Sequence, residues 1–142
     1  MSHHHLHSSP ETCLWGYFDA KLAPVLTVAS GDEVTIETLS GGPEVVPDKN
    51  KFHIPPELAD IHAKCERQLQ GHILTGPIAV TGAEPGDVLE VDILDVQLRQ
   101  DWGYNLIRPL ARTLPDDFHG PRLLNIPLAR ARPVGLLPWG LD

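Results

Sequence analysis

Fourteen prolines and twelve glycines are spread along the 142 residues, and this punctuation constrains the fold more than any other feature. Proline lacks a backbone donor and fixes φ, while glycine weakens regular elements, so only short runs of β-formers survive between them. That is the pattern of an all-β chain, mainly a β-sandwich of jelly-roll-like kind, rather than of βαβ units. Strands are expected over residues 14–18, 25–28, 33–39, 78–81, 87–98, 122–126 and 133–137. Period-2 alternation is clearest in Val34, Ile36 and Thr38, and again in Leu89, Val91, Ile93 and Asp95.

An internal repeat supports the β reading. Leu26-Thr27-Val28 followed by Gly31-Asp32-Glu33-Val34-Thr35-Ile36 resembles Ile78-Ala79-Val80 followed by Gly86-Asp87-Val88-Leu89-Glu90-Val91. Each copy reads as strand, Gly-Asp turn, strand, with glycine supplying positive φ and aspartate bonding nearby amides. One helix is predicted over 56–70, with prolines at its entry, Gly71 past its end, and Leu58, Ile61, His62, Cys65 and Leu69 on one face. Residues 40–51 read as a long surface loop.

A composition of 42% hydrophobic and 21% charged residues fits one ordinary globular domain over 1–142 and excludes a disordered tail. No apolar run is long enough for a membrane span and no signal-like N-terminus is present, so a cytoplasmic setting is expected. The net charge of -8 argues against nucleic-acid partners, which need clustered Lys and Arg; the only basic group, Arg122 with Arg130 and Arg132, is thin. Cys13 and Cys65 match no metal spacing and read as unpaired thiols.

Four histidines, His3, His4, His5 and His7, precede Ser9-Pro10-Glu11-Thr12 and offer imidazoles to a divalent metal of the zinc kind. A frayed terminus or a tag remnant is the competing account. Within the group, His7 and Glu11 stand closest to the first expected strand. His72 stands in Gly71-His72-Ile73-Leu74-Thr75-Gly76-Pro77, between helix and strand and flanked by glycines, a position that suits a site. His62 reads instead as a hydrogen-bonded core histidine, and His53 and His119 as solvated. Asp101-Trp102-Gly103-Tyr104-Asn105 places a carboxylate, two rings and an amide at a strand end, where they can wall a small-ligand pocket, or Trp102 can simply cap the core. Phosphate-loop, Gly-x-Ser-x-Gly, Cys-x-x-Cys and His-Glu-x-x-His motifs are absent.

Taken together, Pro10-Glu11-Thr12 with Trp15-Gly16-Tyr17-Phe18-Asp19, Pro24-Val25-Leu26-Thr27-Val28 with Ser30-Gly31-Asp32, His72 through Ile78, and Gly82-Ala83-Glu84-Pro85-Gly86-Asp87 resemble the acetamidase/formamidase family. The blocks keep the family's order and continue to Leu136-Leu137-Pro138-Trp139-Gly140. The resemblance implies a homo-oligomeric, metal-dependent hydrolase of small linear amides, working by metal-activated water. It also implies that this chain is the N-terminal part of a longer one whose second half holds most of the metal site. On that reading His72 and His7 are the metal-ligand candidates, and His72, Glu11 and Asp101 the catalytic ones. Trp102, Gly103 and Thr75 are the substrate-contact candidates. The alternative is a non-catalytic β-sandwich binding or assembly fragment.

Overall fold

The computed structural model describes residues 1–109, 120–129, 131 and 134–140, so His119, Arg130, Arg132 and Pro133 lie outside the described residues. The element order is β1 (His3–Leu6), β2 (Cys13–Trp15), β3 (Leu26–Val28), β4 (Glu33–Ile36), a 3-10 turn (Pro43–Val45), α1 (Pro56–Lys64), β5 (Ile73–Thr75), β6 (Ile78–Val80), β7 (Trp102–Ile107), β8 (Arg122–Ala129) and β9 (Val134–Gly135). Strands thus dominate, with one short α-helix, as the proline and glycine spacing predicts. The chain forms two compact units, one of Met1–Gly42 with Pro56–Asp92 and one of Pro43–Pro55 with Ile93–Asp142.

The first unit is built from three strand pairs: β1 parallel to β4, β2 antiparallel to β5, and β3 parallel to β6. The internal repeat is visible in the third pair, where Leu26, Thr27 and Val28 lie opposite Ile78, Ala79 and Val80. Both copies close with the same turn. The Asp32 amide donates to Ala29 O and its carboxylate accepts the Ala29 amide, and Asp87 does the same with Glu84. Gly31 at φ +85° and Gly86 at φ +108° supply the left-handed residue before each aspartate. Repetition of sequence is therefore repetition of turn chemistry, and the paired strands are the equivalent ones.

Helix α1 turns Leu58 and Ile61 inward, both fully buried, at the i, i+3 spacing that places side chains on one face. Burial of each such side chain contributes about 1.5–3 kcal/mol. Leu6, Cys13, Trp15, Val28, Leu39 and Ile73 are the other buried apolar residues of this unit. The helix ends at Lys64 rather than near residue 70, and Leu69, predicted on its buried face, is 60% exposed. The cause is a backbone crossing: a Cβ on Gly16 would stand 2.3 Å from Leu69 O, and one on Gly71 would stand 3.1 Å from Gly16 Cα. The chain at 69–71 passes over Gly16 instead of continuing as helix.

In the second unit β7, β8 and β9 form one antiparallel sheet. Trp102 at the start of β7 is fully buried, and its indole N–H donates to His53 O at 2.9 Å. Asp101 Oδ1 accepts the His53 amide, also at 2.9 Å, so consecutive residues clamp both backbone groups of one residue. Gly103 is an interior strand residue opposite Ile126, with no positive φ.

The strand expected over 87–98 is not formed. Val88, Leu89, Val91, Ile93, Leu94 and Val96 are all at least 69% exposed. Alternation gives a segment a face to bury, but a strand also needs a neighbour, and none of the described residues pairs with it. In the repeat, residues 88–91 correspond to β4, whose neighbour is β1. By contrast, β1, β5 and β7 arise where no strand is expected, because their partners supply the ladder.

The crossing at Gly16 gives a direct test. Gly16 holds φ +95°, and alanine there incurs the left-handed penalty of about 1–2 kcal/mol in addition to the clash with the Leu69 carbonyl. Gly16→Ala is expected to lower the unfolding free energy in urea by at least about 2 kcal/mol, whereas Gly82→Ala, which meets no atom within 4 Å, incurs the backbone term alone.

Candidate functional site

Strand β1 carries its histidines in alternation, so His3, His5 and the residue just past its end, His7, share one side. The parallel register puts His3 opposite Glu33 and His5 opposite Thr35, and each imidazole leans toward the residue two places further along β4. His3 Nε2 meets Thr35 Oγ1 at 2.9 Å, and His5 Nε2 meets Glu37 Oε1 at 3.1 Å. His7 reaches the same oxygen, its Nδ1 standing 3.1 Å from Glu37 Oε1. The His5 and His7 rings lie with centroids 4.0 Å apart. His4, on the opposite side, pairs with Asp32 at 3.1 Å.

Glu37 is fixed by its own backbone. Its amide donates to Leu6 O at 2.9 Å, and its carbonyl accepts the Ser8 hydroxyl at 2.6 Å and the Thr75 hydroxyl at 3.0 Å. Ser8 is the one buried polar residue of the described chain. His7 is held similarly, since the Thr12 hydroxyl donates to His7 O at 2.6 Å inside the turn formed by Ser9 and Thr12. Ligand atoms of His5, His7 and Glu37 all lie within 4.8 Å of one another, the only such group of three among the described residues. Two imidazole nitrogens and a carboxylate oxygen are the donor types that a divalent cation of the zinc class takes.

Sharing Thr75 with this cluster is a pocket of about 380 Å3, lined by Leu14, Tyr17, Phe18, Asp19, Leu74, Thr75 and Pro77 among others. Thr75 belongs to both features: it lines the pocket and its hydroxyl proton is spent on Glu37 O.

The structure brings some predicted residues together and separates others. His7 joins His5 and Glu37, while His72 is exposed just before β5, outside that group of three, with its carbonyl accepting the Gly16 amide. Glu11 is exposed in the turn after His7, and hydrogen bonding from Ser9, then from its own amide, lowers its carboxyl below the usual range. Asp101, Trp102 and Gly103 belong to the second unit and there serve the clamp on His53 and the strand ladder. His62 is a packed, hydrogen-bonded histidine, its Nε2–H donating to Gly41 O at 2.9 Å and its ring stacked on Trp15 at 5.4 Å. Cys13 is buried and Cys65 half-buried, both free thiols; burial pushes the Cys65 thiol up. Sequence reasoning grouped His5 with His3, His4 and His7 as possible ligands but singled out only His7 and Glu11 among them, and it missed Glu37 altogether. The available signal was the period-2 spacing of His3, His5 and His7, which marks a strand face.

No helix of the described residues is long and apolar enough to cross a membrane. The fold is shared with an acetamidase from Bacillus halodurans, whose crystal structure superposes with a TM-score of 0.61 at 23% identity, over 87% of this chain and 37% of that one. The Acetamidase/Formamidase family profile matches residues 5–113, more than half of the sequence, and the chain belongs to that family. A formamidase of Methylophilus methylotrophus is 38% identical over 87 residues, 51% of this chain and 21% of the relative. An acetamidase of Mycolicibacterium smegmatis is 36% identical over 92 residues, 49% of this chain and 23% of the relative. The matched stretch is thus under a quarter of the length of these relatives.

Asp32 anchors the N-terminal strand that carries the histidines, and its carboxyl is lowered from 3.8 to about 2, first by the Ser2 amide, then by the Ala29 amide and His4. A carboxyl depressed by folding adds stability that is complete above its unfolded value and is lost as pH falls through the folded one. The melting temperature is therefore expected to drop between pH 3.8 and about 2, and Asp32→Asn to flatten that part of the curve. Parallel curves for the two proteins in thermal melts contradict the assignment.

Proposed function

We propose that this chain is part of an enzyme that hydrolyses the carbon-nitrogen bond of small linear amides, of the formamide and acetamide class, to a carboxylate and ammonia. The observation that carries the reading is the family match over residues 5–113, supported by relatives named formamidase and acetamidase. The largely apolar pocket beside Thr75 offers an apolar wall to the acyl group of an amide.

His5, His7 and Glu37 are the residues that would hold a divalent cation, and their nitrogen and oxygen donors fit one. Such a cation, when bound, supplies Lewis acidity toward an amide carbonyl and acidifies a water. The remaining work falls to the chain itself. Glu11, exposed in the turn after His7, is the proposed acceptor of a proton from the attacking water. The same carboxyl then returns that proton to the departing nitrogen, which leaves as ammonia. Tyr17, Phe18 and Leu74 keep the acyl side of the pocket apolar.

Ammonia release from formamide, acetamide and a longer aliphatic amide measures the reading directly. Release is expected from the two short amides and much less from the long one, and Glu11→Gln is expected to lower kcat by about 100-fold or more. Absence of ammonia from every small amide sinks the proposed activity, and an unchanged kcat in Glu11→Gln removes Glu11 from it.

A further inference from the structure

The convergence of His5, His7 and Glu37 has a geometry that hydrogen bonding alone does not require. Two imidazole nitrogens, one from β1 and one from just past its end, point at one oxygen of one carboxylate, each at 3.1 Å. In a tetrahedral zinc site with bonds of 2.0–2.1 Å, neighbouring ligand atoms stand about 3.3–3.4 Å apart. The three atoms are therefore already within a few tenths of an ångström of that spacing along both edges that meet at Glu37.

We infer that His5 Nε2, His7 Nδ1 and Glu37 Oε1 form a built-in three-ligand site for a zinc-class divalent cation, complete within this chain and open to solvent on its outer side. Two features make it a site rather than a surface coincidence. His5 lies in β1 and His7 just past its end, while Glu37 directly follows β4, and the parallel register of β1 on β4 sets the two segments side by side. The backbones of Glu37 and His7 are each tied by hydroxyls, Ser8 and Thr75 on the first and Thr12 on the second, so little ordering remains when a cation enters.

His7 is 67% exposed and His5 43%, which leaves a path for the cation and a coordination position for water or a small oxygen ligand. Two nitrogen donors with one oxygen select zinc or cobalt over magnesium or calcium, which prefer oxygen sets of higher number. His3 and His4 are excluded from the site because each is engaged elsewhere, with Thr35 and with Asp32. The inference deepens the amidase reading and rests on it for the use made of the cation, but binding is measurable without any substrate.

Titration of the metal-free chain with zinc by calorimetry, followed by cobalt absorption spectra, tests it. About one zinc per chain is expected, unaffected by excess magnesium, with His7→Ala and Glu37→Gln each weakening binding by at least about tenfold and His3→Ala changing it less than about twofold, in line with an ordinary surface change. Dependence on Glu37 separates a folded site from a histidine-rich tail, because Glu37 follows β4, about thirty residues along the chain from the histidines. Should Glu37→Gln fail to fold, the exposed His7→Ala against His3→Ala decides the matter. No zinc uptake, uptake indifferent to His7 and Glu37, or equal losses in His3→Ala and His7→Ala each overturn the site. Zinc uptake that depends on Glu37 without ammonia release upholds the site while refuting the amidase reading. Ammonia release without zinc uptake does the reverse.

Discussion

The carbonyl oxygen of Glu37 is the point on which the first unit depends. It accepts hydroxyl protons from Ser8, just after β1, and from Thr75, at the end of β5. One acceptor thus ties the β1 and β4 pair to the strand that pairs with β2. The two donors also stand 3.3 Å from each other, so the three groups form a small closed network. Each bond contributes on the order of 1 kcal/mol net, but a buried carbonyl left without a donor costs about 1–3 kcal/mol, so the network matters more by its completeness than by its sum.

That constraint also explains why chemistry collects where it does. A carboxylate that is to receive two imidazoles must be held still, since a freely rotating glutamate spends most of its time in water. Fixing the Glu37 backbone by three hydrogen bonds reduces the problem to a few side-chain torsions. The pocket profits from the same anchoring, because Thr75 is at once a wall of the pocket and a tether of Glu37. Family membership and the resemblance to formamidase and acetamidase give this arrangement its proposed use in amide hydrolysis.

Local turn chemistry was legible in the sequence, while long-range partnership was not. The Gly31-Asp32 and Gly86-Asp87 turns form as their residue types dictate, and the repeat around them predicts equivalent strands that the structure pairs directly. The start of α1 follows from its prolines, but its end does not, because the approach of residue 69 to Gly16 is a tertiary event. Likewise, alternation in 87–98 promises a strand, yet the described residues offer it no neighbour. For the site, the histidine run was visible as a set of donors. The acid that gathers two of them was hidden, since Glu37 follows β4 and becomes their neighbour only through the parallel register. Trp102 and Asp101 show the opposite case: a polar and aromatic cluster with the look of a pocket wall, spent on clamping His53.

A double-mutant cycle on stability, combining Ser8→Ala with Thr75→Val in urea unfolding, bears most directly on this account. Either hydroxyl alone keeps the Glu37 carbonyl satisfied, so the double variant is expected to lose at least about 0.5 kcal/mol more than the two single losses added. Additivity within about 0.3 kcal/mol would contradict the shared-acceptor network and, with it, the fixed position of Glu37 between His5 and His7.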